Sequence, residues 1–253
     1  MTIWETVIVA FSMFSALPMP QIEWNEKNMR YSLCAFPLIG AVIGLAGWGW
    51  VCFCAALALP AVLRGAGLCL LPVLITGGIH LDGYADTCDA LASHGSVEKR
   101  QEILKDPHLG AFAAIRLGVY FVASFALWTA LGEVKLLPLV CLFGLSRSLS
   151  GLALTVYPLR EGSGLARSFA DAADKKRVRA VLLALSCALA IVLALGGAAE
   201  VPAVAALVFW RYGRVAKQDF GGVSGDLAGW FLQKAELWML AAWCLGQYVR
   251  NTL

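Results

Sequence analysis

Runs of about twenty apolar residues recur along the chain, at 2–17, 33–59, 66–92, 110–131, 136–157, 179–198, 201–213 and 227–250. Nothing in the sequence constrains the fold more. A helix needs roughly 17–25 apolar residues to cross about 30 Å of hydrocarbon. Inside lipid every backbone N–H and C=O must find a partner within the protein, which only helices and closed barrels provide. The runs show no alternation of period two, so the sequence predicts an all-α, polytopic transmembrane bundle. It reads as a single domain over 1–253 with seven or eight spans. Seven is the alternative because 201–213 is short, and "GGAAEVPA" before it reads as a tight turn or a re-entrant dip. Composition agrees, with 60% hydrophobic and 15% charged residues, outside the range of soluble domains. The N-terminus carries Glu5 in place of a basic stretch and reads as a retained first span rather than a secretory signal.

The charges are unevenly distributed. Fourteen of the twenty Lys and Arg fall in the loops after runs one, three, five and seven, and three (Arg64, Lys135, Arg250) fall on the other side. The positive-inside rule puts the first set in the cytoplasm, with both termini outside. The expected location is therefore the cell inner membrane, with the active face cytoplasmic. A net charge of +3 without a basic tract gives no reason to expect nucleic acid. The eight cysteines are scattered, most of them inside apolar runs, and read as small buried hydrophobes. Gly40, Gly44 and Gly47 stand at spacings that allow two spans to approach closely.

The stretch "GGIHLDGYADTCDALASHG" interrupts this apolar pattern. Asp82, Asp86 and Asp89 are spaced i, i+4, i+7, which on a helix confines them to an arc of about 60°. Like charges so placed repel, and near lipid the cost rises. Acids at the C-terminal end of a helix also oppose its dipole. A cation should offset them, and hard carboxylate oxygens suit Mg²⁺, which commonly bridges to substrate phosphates. His80 lies outside the arc, as a donor to the site or as a packed interfacial histidine.

Other motifs gather at the same face. "KDPHLGAF" reads as a helix start, with Asp106 as N-cap and Pro107 in the first turn. Lys105 could reach an anion there, and a helix N-terminus is itself an anion site. "REGSGLARSF" follows run five and contains Arg160. "GGVSGD" supplies Gly221, Gly222, Ser224, Gly225 and Asp226, a glycine-rich turn of the kind that presents N–H groups to phosphate. Asp226 either caps the last helix or joins the metal site. Arg147 sits well inside run five as a phosphate clamp or a snorkelling cation. Lys234 and Glu236 lie within the last run, as functional groups or as partners of charges on another span.

At these residues the chain resembles the cobalamin synthase family, the adenosylcobinamide-GDP ribazoletransferases. The resemblance covers nearly the whole chain: "LPMP", "FPLIGAVIG", "GGIHLDGYADTCDA", "KDPHLGAF", Ser146–Arg147, "REGSGLARSF" and "GGVSGD", in the family's order. Ser224 stands where the family usually has Thr, Pro107 where it usually has Ser, and "LAGW" where "TLGA" is common. The resemblance implies a Mg²⁺-dependent membrane transferase joining adenosylcobinamide-GDP to α-ribazole or its 5′-phosphate, with loss of GMP. It implies Asp82, Asp86, Asp89 and Asp226 as metal ligands and Asp86 or Asp89 as proton acceptor. His80, Lys105, Asp106, Arg147, Arg160, Gly221, Gly222, Ser224 and Gly225 would contact substrate. The lipid bilayer is the other partner, and a homo-oligomer or a complex with other corrinoid-assembly enzymes fits the pattern. A CDP-alcohol phosphotransferase is the nearest alternative, but its D-G-x-x-A-R opening is replaced by D-G-Y-A-D. A transporter would place its charges near the midplane and often shows an internal repeat.

Overall fold

The computed structural model describes residues 3–162 and 164–252; Thr2 of the first run and Ser163 of "REGSGLARSF" lie outside them. Among the described residues there are twelve helices and no strand. They are α1 (Ile3–Phe14), α2 (Glu26–Met29), α3 (Ser32–Ala56), α4 (Ala61–Thr76), α5 (Ile79–Ala92) and α6 (Val97–Ile103). There follow α7 (Ala111–Ala130), α8 (Leu136–Val156), α9 (Leu165–Ala172), α10 (Lys175–Leu195), α11 (Glu200–Phe220) and α12 (Gly225–Thr252). Each of the eight apolar runs is a helix or, for 66–92, a helix pair. Among the described residues α3, α7, α8 and α10 are long and apolar enough to cross a membrane. The pair α4–α5 adds a fifth candidate, bent by 96°. Of the two readings of "GGAAEVPA" the structure has the tight turn: it spans only 196–199 and leads into α11, a 21-residue helix.

α8 is the axis of the bundle, buried along most of its length. α3 lies against it where Gly40 and Gly44 remove side chains: an added Cβ would overlap the Phe143 carbonyl and the Val140 backbone. Gly47 meets Leu68 and Leu139 side chains instead. On its other side α10 is joined by polar contacts, with Ser148 Oγ 3.0 Å from the Leu182 carbonyl and 2.8 Å from Ser186 Oγ. Small residues and hydroxyls are what bind helices where lipid supplies no hydrophobic drive. Outward-facing Leu74, Val122 and Leu195 are largely exposed, as lipid-facing side chains would be.

The break in the third run moves the acids. Gly77 (φ 65°) ends α4 and Gly78 (φ 80°) starts α5, both in the left-handed region where glycine has no Cβ to clash. The acids therefore do not end an oily helix. Asp82 lies in the first turn of a new helix, where the dipole favours negative charge.

The two ends of the bundle differ. At one, Arg64 donates to the Leu131 and Gly132 carbonyls, Gln247 to the Glu133 carbonyl, and Arg250 pairs with Glu200. At the other, Arg30 pairs with Asp174 at 3.1 Å, Arg100 with Asp219, and Gln101 donates to the Phe220 carbonyl. The aspartate, "REGSGLARSF" and "GGVSGD" stretches all lie at this second end.

Candidate active site

Two helices build the acidic face, and missing side chains bring them together. A Cβ on Gly83 of α5 would lie 2.7–2.8 Å from the Asp226 backbone, and one on Gly229 of α12 would lie 2.7 Å from the His80 carbonyl. Only glycine at both positions permits so close a crossing. It delivers Asp226, in the first turn of α12, to the stripe on α5: the Asp86 carboxyl faces the negative charges of Asp82, Asp226 and Asp89. Asp82 is exposed, and Asp86 and Asp89 are half-buried.

A second docking event supplies a cation. Leu159 and Val223 form an isolated parallel bridge, with the Arg160 N–H on the Val223 carbonyl (3.0 Å) and the Val223 N–H on the Pro158 carbonyl (2.8 Å). Gly222 presses directly on this backbone. Arg160 is thereby held beside α12, 7% exposed. Its Nη2 lies 3.9 Å from Asp226 Oδ2, while Nε and Nη1 are buried without partners. Buried guanidinium donors left open are costly unless an acceptor arrives.

The glycine-rich turn differs from the expectation of a phosphate cradle. The Gly222 N–H is bonded to the Ala216 carbonyl and the Val223 N–H to Pro158, so neither is available to an anion. Gly221 is the left-handed residue that closes α11. Ser224, not Asp226, caps α12, its Oγ accepting the Leu227 N–H at 3.4 Å. That leaves the Asp226 carboxylate facing α5 and Arg160.

Three further expectations shift. α7 begins at Ala111 with Gly110 as N-cap, so Asp106 is no cap and Pro107 lies before the helix. Asp106 instead accepts from the His108 N–H (3.0 Å) and approaches its ring (2.7 Å). The N–H bond, then the ring, hold the Asp106 carboxyl below the ordinary carboxylate range. It and Lys105 are exposed on the approach to α7. Asp89 takes the capping place: its carboxylate fills the space beside Gly110 and accepts the Ala113 N–H at 3.4 Å. Arg147 is 1% exposed between α8 and α12, paired with Glu236, with Ser146 Oγ 2.8 Å from Glu236 Oε1. It is neither a snorkelling cation nor placed to clamp phosphate. Lys234 stands 6.0 Å from the Tyr84 ring centroid, half-buried.

A cavity of about 290 Å³ opens between α1, α3, α5, α8, α9 and α12. His80, Asp82, Ser150 and Asp226 are the polar side chains in its wall. Phe14, Phe36 and Phe169 supply aromatic rings, none of which the sequence marks as functional, because aromatics inside apolar runs look like ordinary packing. His80 is 6% exposed and its Nε2 has no partner.

Among the described residues no three His, Cys, Asp or Glu groups converge closely enough to enclose a metal ion. The four aspartates instead share a face, with hard oxygen donors of the kind Mg²⁺ takes together with waters and substrate phosphates.

Comparison with known proteins agrees over the whole bundle. A family model described as cobalamin-5-phosphate synthase matches residues 6–244. The chain is 44% identical to the adenosylcobinamide-GDP ribazoletransferase of Lachnoclostridium phytofermentans over 239 residues, covering 90% of this chain and 89% of that one. It is 31% identical to the enzyme of that name from Clostridium botulinum strain Alaska E43, covering 96% and 98%. It is 28% identical to that of Geobacillus sp. strain WCH70, covering 98% and 97%. No solved structure matches it.

Proposed function

The chain belongs to the cobalamin-5-phosphate synthase family, a membrane-embedded transferase of cobalamin biosynthesis, and from that premise we propose that it joins adenosylcobinamide-GDP to α-ribazole or α-ribazole 5′-phosphate with release of GMP, at the cytoplasmic face of the cell membrane. The observation that carries this reading is the meeting of Asp82 and Asp226 across the glycine crossing, beside the buried guanidinium of Arg160. Acidic oxygens beside a guanidinium suit a diphosphate and its counter-cation.

Asp82, Asp86 and Asp226 would hold Mg²⁺, and the fit rests on the chemistry of their oxygens and on the excess of negative charge around Asp86. When bound, Mg²⁺ neutralises charge on the diphosphate and on the departing phosphate. The chain's own groups do the rest. Arg160, whose Nη2 lies 3.9 Å from Asp226 Oδ2, donates to diphosphate oxygens and orients the phosphorus attached to cobinamide. A ribazole hydroxyl oxygen forms the new bond to that phosphorus, and the bond to the bridging oxygen breaks. GMP leaves with the bonding electrons. The hydroxyl proton passes to an Asp82 carboxylate oxygen. Asp82 suits this role better than Asp89, because Asp82 is exposed in the cavity wall while Asp89 is engaged at α7.

The test is direct. Purified protein in lipid nanodiscs, given adenosylcobinamide-GDP, α-ribazole 5′-phosphate and Mg²⁺, releases GMP, and EDTA stops release until Mg²⁺ is restored. GMP release that survives EDTA overturns the metal assignment. Absence of release under all conditions overturns the reaction.

A further inference from the structure

Resting on the transferase reading above, we propose that the cavity walled by Phe14, Phe36, Phe169 and His80 seats the aromatic base of the ribazole, with the His80 imidazole paired to the base's free ring nitrogen. The cavity, at about 290 Å³, lies at the small end of ligand sites, which run from roughly 300 Å³ upward. Such a space suits a flat bicyclic base better than a corrin macrocycle. Its wall is aromatic on several sides. The Phe14 and Phe36 ring centroids are 4.4 Å apart, Phe14 and Phe169 5.5 Å, and Phe36 and His80 5.7 Å. Such rings favour stacking and edge contacts with another π system.

Polar groups narrow the choice between the two bases the reaction brings. Guanine carries a carbonyl, an amine and ring N–H groups, each needing a partner once water is excluded. A benzimidazole joined to ribose through one nitrogen presents a single acceptor, its other nitrogen. The cavity offers a matching arrangement: Asp82 and Asp226 lie at the more exposed part of the wall, and the His80 ring lies at a buried part of it. A base with its acceptor on the His80 imidazole leaves the rest of the bicycle on apolar wall. The ribose then projects toward Asp82, the group assigned to take the hydroxyl proton. α9 closes one side through Leu165, Ala166 and Phe169.

The assignment predicts base discrimination. A purine in place of the benzimidazole brings an amine and further ring nitrogens that the wall does not match, and each unmatched buried polar group weakens binding by roughly tenfold or more.

The experiment uses the full chain in nanodiscs and measures equilibrium binding of three α-ribosides, those of dimethylbenzimidazole, adenine and dimethylindole. The last has the shape of the first without its acceptor nitrogen. The wild-type protein is expected to bind the benzimidazole riboside at least about tenfold tighter than the adenine one. His80→Phe is expected to remove roughly tenfold of benzimidazole affinity and leave indole affinity unchanged. Equal loss for both ligands overturns the hydrogen bond. Ala166→Phe, which fills the cavity from α9, is expected to raise KM for ribazole phosphate and leave KM for adenosylcobinamide-GDP unchanged. A rise confined to the corrinoid's KM overturns the base assignment. Binding of the riboside as described without GMP release would remove the transferase reading and leave the cavity assignment standing.

Discussion

The Asp89 carboxylate stands at the N-terminus of α7, its Oδ1 accepting the Ala113 N–H at 3.4 Å beside Gly110. A side chain on α5, which ends at Ala92, thus caps α7, which begins at Ala111 with α6 in between. A Cβ at Gly110 would strike the Asp89 carboxylate, which would have to move off the helix start. Gly110→Ala is expected to cost about 1–3 kcal/mol by overpacking, read as a lower midpoint of thermal unfolding. Combining it with Asp89→Ala should cost less than the sum of the two, because the carboxylate that would be struck is gone. Simple additivity would show that the two positions do not touch.

Asp82 and Asp89 should separate in kinetics. Asp82→Asn is expected to abolish GMP release while thermal unfolding stays unchanged, because an exposed carboxylate stabilises little. Asp89→Asn keeps a capping oxygen and should retain measurable turnover. Normal turnover in Asp82→Asn would sink its assignment as proton acceptor.

Arg160 lies buried beside Asp226, with Nε and Nη1 unpartnered. Arg160→Lys keeps the charge and loses the planar fork. It is expected to raise KM for adenosylcobinamide-GDP by about tenfold or more, the size of one or two charge-assisted hydrogen bonds. Wild-type KM in this variant would place the diphosphate elsewhere.

The Arg147–Glu236 pair joins α8 to α12 inside the bundle. Arg147→Met alone leaves a buried carboxylate unpaired and should cost about 3–5 kcal/mol, whereas Arg147→Met with Glu236→Met should be far milder. Unfolding midpoints of the single and double variants check this. A double variant as unstable as the single would mean that the pair does more than pack two helices.

Asp174 caps α10 and ties it to the α2–α3 segment. The Arg177 N–H, then Arg30 and the Arg177 charge, lower its carboxyl pKa from 3.8. A depressed folded value gives stability that is full above the unfolded pKa and disappears as pH falls through the folded one. The stability difference between wild type and Asp174→Asn is therefore expected to be constant near neutrality and to close below about pH 4. A difference that persists at pH 2 would trace to packing instead.

Much of this was legible in residue spacing. Each of the eight apolar runs contains a helix, the i, i+4, i+7 stripe lies on one helix, and Gly40 and Gly44 mark a close crossing. The break at Gly77–Gly78 was not legible, because apolar residues flank it on both sides and glycine is common inside membrane helices. Asp106 followed by proline imitates a helix start, but here it makes a short turn to His108. The Arg147–Glu236 pairing spans 89 residues of sequence, and no local pattern announces it. The cavity is assembled from six helices, so it exists only after folding.

The bend at Gly77–Gly78 also sets how deep the chemistry lies. The sixteen residues of α4 rise only about 24 Å, some 6 Å short of a typical hydrocarbon core. Where the bent α4–α5 pair crosses as one candidate span, that shortfall is met by thinning of the bilayer around α4 or by headgroups and water reaching α5. Turnover is then expected to change with lipid chain length, because a thicker bilayer stretches the mismatch at α4, next to the helix that carries the acids.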